Sequence, residues 1–283
     1  MTNKSKQTDC IETLAGATIQ HGPLNNRIYV MKMGTAGSEI LCEKLEWLAQ
    51  ERQYTKIFAK VPEPAVGAFL NAGYRCEALI PHFYSGRIAA WFMGKFLSPE
   101  RQYDAHSVEN DAVFLHAMQG GLAKGEPKTG AGFALRPCTA EDASAMSAIY
   151  RAVFPAYPFP VDDPDYLVHA MSMDVAFFGV EHGGELVALS SAEMDVEHGN
   201  AEMTDFATLP EWRGHGLAHA LLDHMEKAMC VRNIQTAYTI ARALSPGMNI
   251  TFARQGYSYA GCLVNNTHIG DGIESMNVWH KSL

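Results

Sequence analysis

Apolar positions along the chain change period repeatedly, from the three-and-four spacing of an amphipathic helix to the alternation of a strand, with glycine or proline at most of the switches. Residues 26–33 predict a strand. Residues 34–38 form a small-residue turn into a helix on which Ile40, Leu41, Lys44, Leu45 and Leu48 recur at helical spacing. Residues 55–61 predict the next strand, around Ile57, Phe58 and Ala59. Pro62 and Pro64 then sit where a first helical turn tolerates proline, and the helix through Val66, Phe69 and Leu70 stops at Gly73. Strands follow over 74–80 and 88–96.

Residues 98–131 read as a join, with a helix over 108–118 and a glycine-rich stretch over 120–132 that predicts a flexible or exposed linker. A short strand over 133–136 opens the second half. Thr139 and Asp142 have capping-box spacing before a helix whose Ala143, Met146, Ile149, Tyr150 and Val153 share a face. Residues 155–164 are too rich in proline for a helix and predict an ordered aromatic loop. A helix over 165–172 leads to strands over 175–181, 185–195 and 201–207, turned at Gly183-Gly184 and His198-Gly199-Asn200. After a glycine turn comes a helix with Leu217, Leu221, Met225 and Ala228 on one face. A strand over 236–241, a helix over 246–255 and strands over 257–263 and 273–281 complete the chain.

Together these elements predict an α/β (α+β) protein of two domains, 1–125 and 131–283. At one constant offset Ile57 meets Ile240, Phe69 meets Phe252, Gly73 meets Gly256 and Tyr74 meets Tyr257, with strand, helix, strand and strand in the same order. The natural reading is two copies of one fold unit.

Composition narrows the partners. A net charge of −9 with no block of Lys and Arg excludes a nucleic-acid or anionic-membrane partner. No apolar run approaches the ~20 residues needed to cross a bilayer. The polar residues 1–9 resemble no signal or transit peptide, so the expected location is the cytoplasm. The six cysteines are scattered without a C-x-x-C pair, which predicts reduced thiols. His215, His219 and Asp223 have metal-ligand spacing, but no third ligand is fixed by it and no metal is expected.

The chemistry concentrates in residues 208–218, Thr-Leu-Pro-Glu-Trp-Arg-Gly-His-Gly-Leu-Ala, between a strand and a helix. Gly214 and Gly216 permit a tight turn, and the unpaired first-turn amides of the following helix make an anion site. Arg213-x-x-Gly216-x-Ala218, with Pro210 ahead, resembles the acetyl-CoA pyrophosphate loop of the GNAT N-acetyltransferases, and the element order of 131–283 is similar to theirs. The resemblance implies a mixed, mostly antiparallel sheet flanked by helices, with acetyl-CoA as co-substrate. It implies cofactor contacts from Phe206, Ala207 and Thr208, from Arg213, Gly214, His215, Gly216, Leu217 and Ala218, and from Ser245 and Asn249. The first half has no such loop and would be a degenerate GNAT-like unit.

Glu202 occupies the strand position where several of these enzymes carry a general-base glutamate. Asp205 is a second candidate, expected on the opposite strand face, and Glu193 a third. Where many relatives place a tyrosine acid this chain has Phe252, with Tyr238 as a substitute. Residues 238–253, Asn265-Asn266-Thr267, residues 273–279 and Phe83-Tyr84 further resemble the β-lysine N6-acetyltransferases, which make the osmolyte N6-acetyl-β-lysine. That resemblance implies a small amine substrate, with Arg242 on its carboxylate and Glu274, Asn265 and Asn277 as further ligands. Phe83 and Tyr84 would join a site between the two domains. Another small amine (lysine, ornithine, a polyamine) or a non-catalytic acetyl-CoA-binding module remain alternatives, and a homodimer is admitted.

Overall fold

The computed structural model describes residues 9–121, 130–155 and 157–283. Most of the expected linker lies outside them. The first half runs β1 (Cys10–Leu14), β2 (Ala17–Gly22), β3 (Arg27–Lys32), α1 (Ser38–Arg52), β4 (Lys56–Pro62), α2 (Val66–Asn71), β5 (Arg75–Tyr84) and β6 (Ile88–Phe96). Two helices follow, α3 (Pro99–Gln102) and α4 (Ser107–Gly121). The second half runs β7 (Phe133–Pro137), α5 (Ala143–Val153), α6 (Pro164–Met171), β8 (Val175–His182), β9 (Glu185–Asp195) and β10 (Asn200–Thr208). It ends with α7 (Leu217–Val231), β11 (Thr236–Arg242), α8 (Pro246–Arg254), β12 (Ser258–Ile269) and β13 (Gly272–Ser282).

The elements form where local chemistry dictates. Thr139 and Asp142 complete the capping box ahead of α5, and Ala143, Met146, Ile149 and Tyr150 bury the predicted face. Leu41, Leu45 and Leu48 bury one side of α1, while Ile40 remains exposed. Strands β1 and β2 were not expected. The first is an exposed edge, and the second is buried yet carries Gln20 and His21, whose ring is held 2.9 Å from the Tyr54 hydroxyl. Polar residues that find partners only across the fold leave no apolar pattern to read.

All strands join one sheet in the order β1-β2-β3-β4-β6-β5-β12-β13-β11-β10-β9-β8-β7. It is antiparallel except at β3–β4 and β10–β11, and helices flank it. From the centre outwards both halves repeat one order, with the parallel pair at the same step. The offset seen in the sequence holds in three dimensions. Phe69 and Tyr74 stack edge-on at 5.0 Å, as do Phe252 and Tyr257 at 5.0 Å. Gly73 and Gly256 take left-handed φ of 82° and 86° in the intervening turns. The halves meet where Ala78 of β5 pairs with Gly261 of β12, two positions related by that same offset. Like meets like across the seam, as in an isologous dimer.

Helix α4, which falls in the first domain by sequence, packs on the second half. Phe114 lies 4.4 Å from the Tyr259 ring, and Ala117 is buried in the core around α7 and α8.

Beside the seam, β12 leaves its ladder with β13 between Leu263 and Thr267. Its three carbonyls there are taken by three buried cations of the first half. Lys56 Nζ donates to Val264 O at 2.7 Å, Arg101 Nε to Asn265 O at 2.6 Å, and Arg27 Nη1 to Asn266 O at 2.5 Å. Glu77 ion-pairs with Lys56 at 2.8 Å and accepts the Val264 N–H. Asn265, in left-handed conformation, donates its side-chain amide to Arg101 O and Tyr103 O.

The seam predicts its own weak point. Gly261 has φ of 146°, and a Cβ there would collide with the Glu77 carbonyl and lie 2.7 Å from the Ala78 Cα. Gly261→Ala should therefore destabilise the protein by roughly 2–6 kcal/mol, combining strain and overpacking. Urea unfolding measures this, and an unchanged midpoint would show that the seam tolerates a side chain.

Candidate functional site

Strands β10 and β11 are paired only where residues Asn200 to Glu202 meet Thr236 to Tyr238. Beyond Tyr238 they share no ladder, and a cleft of about 510 Å³ opens between them. Phe206 and Thr208 line it from β10, Arg213, Gly214, Gly216, Leu217 and Ala218 from the turn and first turn of α7, and Ser245 from the far side. Gly214 and Gly216 have φ of 83° and 73°, which side chains rarely adopt. The first backbone N–H of this stretch to find a backbone partner after Arg213 is that of Ala220. Six consecutive amides, 214–219, thus stand at a helix N-terminus with the charge preference of an anion site.

His215, expected to contribute its backbone amide, keeps it among these six while its ring turns back to the loop, with Nδ1 3.1 Å from Trp212 O. Asn249, also expected at the cofactor, is placed differently and is fully buried. It donates to Arg242 O and Ser245 O and accepts from Asn277 Nδ2 and Trp279 Nε1, so every polar atom of its side chain is spent inside the fold. Asn277 is thereby also a structural partner rather than a substrate ligand. The Ala207 methyl is buried against α5, leaving its backbone to represent it. His219 bonds Gln255 and Asp223 pairs with Lys227, so these residues and His215 do not converge on a common point.

A second cavity, about 110 Å³, lies where the halves face each other. Glu202, Thr204 and Asp205 line it from β10, and Glu193 from β9. The expectation that Asp205 faces away from Glu202 is corrected by a β-bulge. Thr204 pairs with Ser191 but Ala207 with Leu189, so two residues oppose one, and Asp205 takes φ of 56°. The bulge brings Asp205 round to the Glu202 side and sends Phe206 to the cofactor side, where it packs on Phe252 at 5.7 Å. One irregular residue divides the strand between the two cavities.

The second cavity is charged and buried. Burial raises the Glu202 carboxyl above the usual carboxylate range, while Lys60 and the hydrogen bond from Tyr238 work against the rise. Burial and the Glu202 charge push Glu193 up to about 8. Asp205, also raised by burial, accepts from Tyr157 Oη at 2.5 Å and Ser191 Oγ at 2.6 Å. Burial opposes the charge on Lys60, but Tyr238, Tyr29 and Glu202 outweigh it and hold the ammonium well above its ordinary range. Its Nζ donates to Tyr238 Oη at 3.0 Å. Phe252 is buried and offers no acid.

The first half contributes Gln20, Arg27, Tyr29, Met31, Phe58 and Lys60 to this cavity. None was singled out in the sequence as a site residue. Lys60 and Arg27 are cations in expected strands, and nothing local in the sequence marks either as a site residue. The aromatic loop over 155–164 supplies Tyr157 and Phe159. Tyr84 instead packs on His198 and Phe83, and Phe83 lies behind the cavity against Tyr238. Arg242 closes a bidentate pair with Glu274, Nε to Oε2 at 2.9 Å and Nη2 to Oε1 at 2.6 Å, so each fills the other's binding edge. With Asn265 spent on the seam, the expected ligand set does not line the cavity.

Comparison with known proteins agrees with this architecture. Residues 146–257 match the model of the acetyltransferase (GNAT) family. A β-lysine N6-acetyltransferase of Methanococcus maripaludis is 40% identical over 263 residues, covering 93% of this chain and 95% of that protein. Another of that name from Methanosarcina mazei is 32% identical, covering 87% and 97%. The N-acetyltransferase YodP of Bacillus subtilis is 30% identical, covering 94% and 96%. Similarity of this extent runs through both halves, and the chain belongs to the GNAT family of acetyltransferases.

Proposed function

We propose that the chain transfers the acetyl group of acetyl-CoA to the terminal amine of β-lysine, giving N6-acetyl-β-lysine, an osmolyte of the cytoplasm. The observation that carries this reading is that Asp205 and Phe206, neighbours in the bulge of β10, line different cavities. A phosphate-ready loop lies on one side, and half-buried Glu193 and Glu202 with buried Asp205 lie on the other. The names of the two methanogen relatives supply the substrate.

The pantetheine and pyrophosphate of acetyl-CoA would lie along Phe206 and Thr208 and over the amides of 214–219, which bind anions without needing a lysine. A terminal ammonium enters the carboxylate pole. Glu202, kept a better base than an exposed glutamate by its burial, takes the proton directly or through a water. The freed amine attacks the thioester carbonyl. The C–N bond forms as the C–S bond breaks, the acylated nitrogen gives up its second proton to solvent, and the sulfur leaves as a thiolate that takes up a proton in turn. A CoA thiol is acidic enough to leave without an acid, which suits the phenylalanine at position 252. Tyr238 is a poor donor, since burial and Glu202 raise its hydroxyl well above the usual range.

Two outcomes are expected. Gly216→Glu places a side chain and a negative charge in the turn and should abolish acetyl-CoA binding in calorimetry. Unaltered affinity would remove the loop from the cofactor site. The pH profile tests the base. Glu202 acts as its carboxylate, so kcat/KM falls as pH drops through its raised pKa. Because Lys60 holds that pKa down, Lys60→Met should shift the acidic limb to higher pH. Glu202→Gln should lower kcat by about 10²–10⁴ and flatten the limb. A limb that neither change moves belongs to another group.

A further inference from the structure

Three buried cations of the first half grip the loosened stretch of β12, and they are not equally spent. Arg101 donates to Asn265 O, Thr55 Oγ1 and Asn25 O, so its Nε and both terminal nitrogens are engaged. Lys56 is shared between Glu77 and Val264 O. Arg27 bonds through Nη1 alone, to Asn266 O and Thr267 Oγ1 at 3.1 Å. Its Nε is buried without a partner among the described residues, and among those residues the guanidinium's hydrogen bonds all run through Nη1, leaving Nη2 without one. The residue is only 4% exposed and lines the second cavity.

Nε and Nη2 form the side-on fork of a guanidinium, the edge that matches a carboxylate bidentately. This chain uses that edge in Arg242, whose Nε and Nη2 take the two oxygens of Glu274. In Arg27 the same edge is unpaired in a buried site, where an unmet donor is costly. Beside it Asn266, 1% exposed, also lines the cavity, and its Oδ1 is a buried acceptor with no partner among the described residues. The loosening of β12 that offers the Asn266 carbonyl to Arg27 puts donor edge and acceptor on adjoining groups.

We infer that Arg27 and Asn266 form the subsite for the amino-acid end of the substrate, the carboxylate on Arg27 Nε and Nη2 and the neighbouring ammonium on Asn266 Oδ1. The inference rests on the proposed acetylation of an amino acid and makes the first half a specificity element. The cavity carries both signs, Arg27 and Lys60 from the first half and Glu193, Glu202 and Asp205 from the second. A zwitterion with a second amine on a short chain would present its head to Arg27 and its far ammonium to Glu202. Arg242 is relieved of the role by Glu274.

The test compares kcat/KM for β-lysine, for pentane-1,4-diamine, which lacks only the carboxylate, and for 6-aminohexanoate, which lacks only the inner amine. Wild type should favour β-lysine over both. Arg27→Met should lower kcat/KM for β-lysine about 30-fold or more. It should bring the β-lysine to diamine ratio towards one and leave the ratio to 6-aminohexanoate in place. Asn266→Ala should do the reverse. Arg27→Lys, which keeps the charge at the seam but loses the fork, should restore folding and only part of the diamine discrimination. Equal losses on β-lysine and the diamine in the Arg27 variants would mark a structural residue and overturn the assignment. Should wild type prefer α-lysine, the β-lysine reading falls, and the ratio of α-lysine to pentane-1,5-diamine tests Arg27 in the same way. A wild type that accepts each diamine as readily as its parent amino acid would overturn the subsite whatever the substrate.

Discussion

Three consecutive carbonyls of β12, those of Val264, Asn265 and Asn266, have left their sheet ladder and would be unmet in an isolated second half. Buried carbonyls demand donors. The first half supplies Lys56, Arg101 and Arg27, each drawn out of water to reach one of them. Burial lowers their pKa values to about 8, 9 and 10 respectively, a measure of how far each is desolvated. Such groups are stable only when paired, so neither half can present this surface to water without loss. The halves are therefore one structural unit although each repeats the same strand order.

That dependence explains why a half without a cofactor loop is kept. The larger cleft, proposed to hold acetyl-CoA, needs only the splay of β10 and β11 and the glycine turn, all within the second half. The charged cavity needs both halves: Glu193, Glu202 and Asp205 from one, Arg27, Tyr29 and Lys60 from the other. Lys60 shows how closely the two are coupled, because its charge is held by Tyr238 and Glu202 across the junction and in turn tunes Glu202. Two local irregularities, the bulge at Asp205 and the loosening of β12 at 264–266, aim the side chains that matter. Regular strands would have put Asp205 on the cofactor side and Asn265 and Asn266 into an ordinary ladder.

Much was legible in the sequence by itself, because local chemistry encodes it. The apolar periods, the capping box of Thr139 and Asp142, and the glycines at 214 and 216 specify elements and a turn whatever surrounds them. The repeat was visible for the same reason: Phe69, Gly73 and Tyr74 and their counterparts form a helix stop that is local in the chain. Those elements and the loop's resemblance to the GNAT enzymes implied the acetyltransferase fold and where its cofactor would lie. Tertiary structure alone decided which polar groups are free. Asn249, Asn277, Asn265, Arg242 and Glu274 all have the right chemistry for ligands, but hydrogen bonds between residues distant in the chain consume each of them. Arg27 and Lys60 carry no local sign of function, and they come to line a cavity only because the second half of the sheet folds against them.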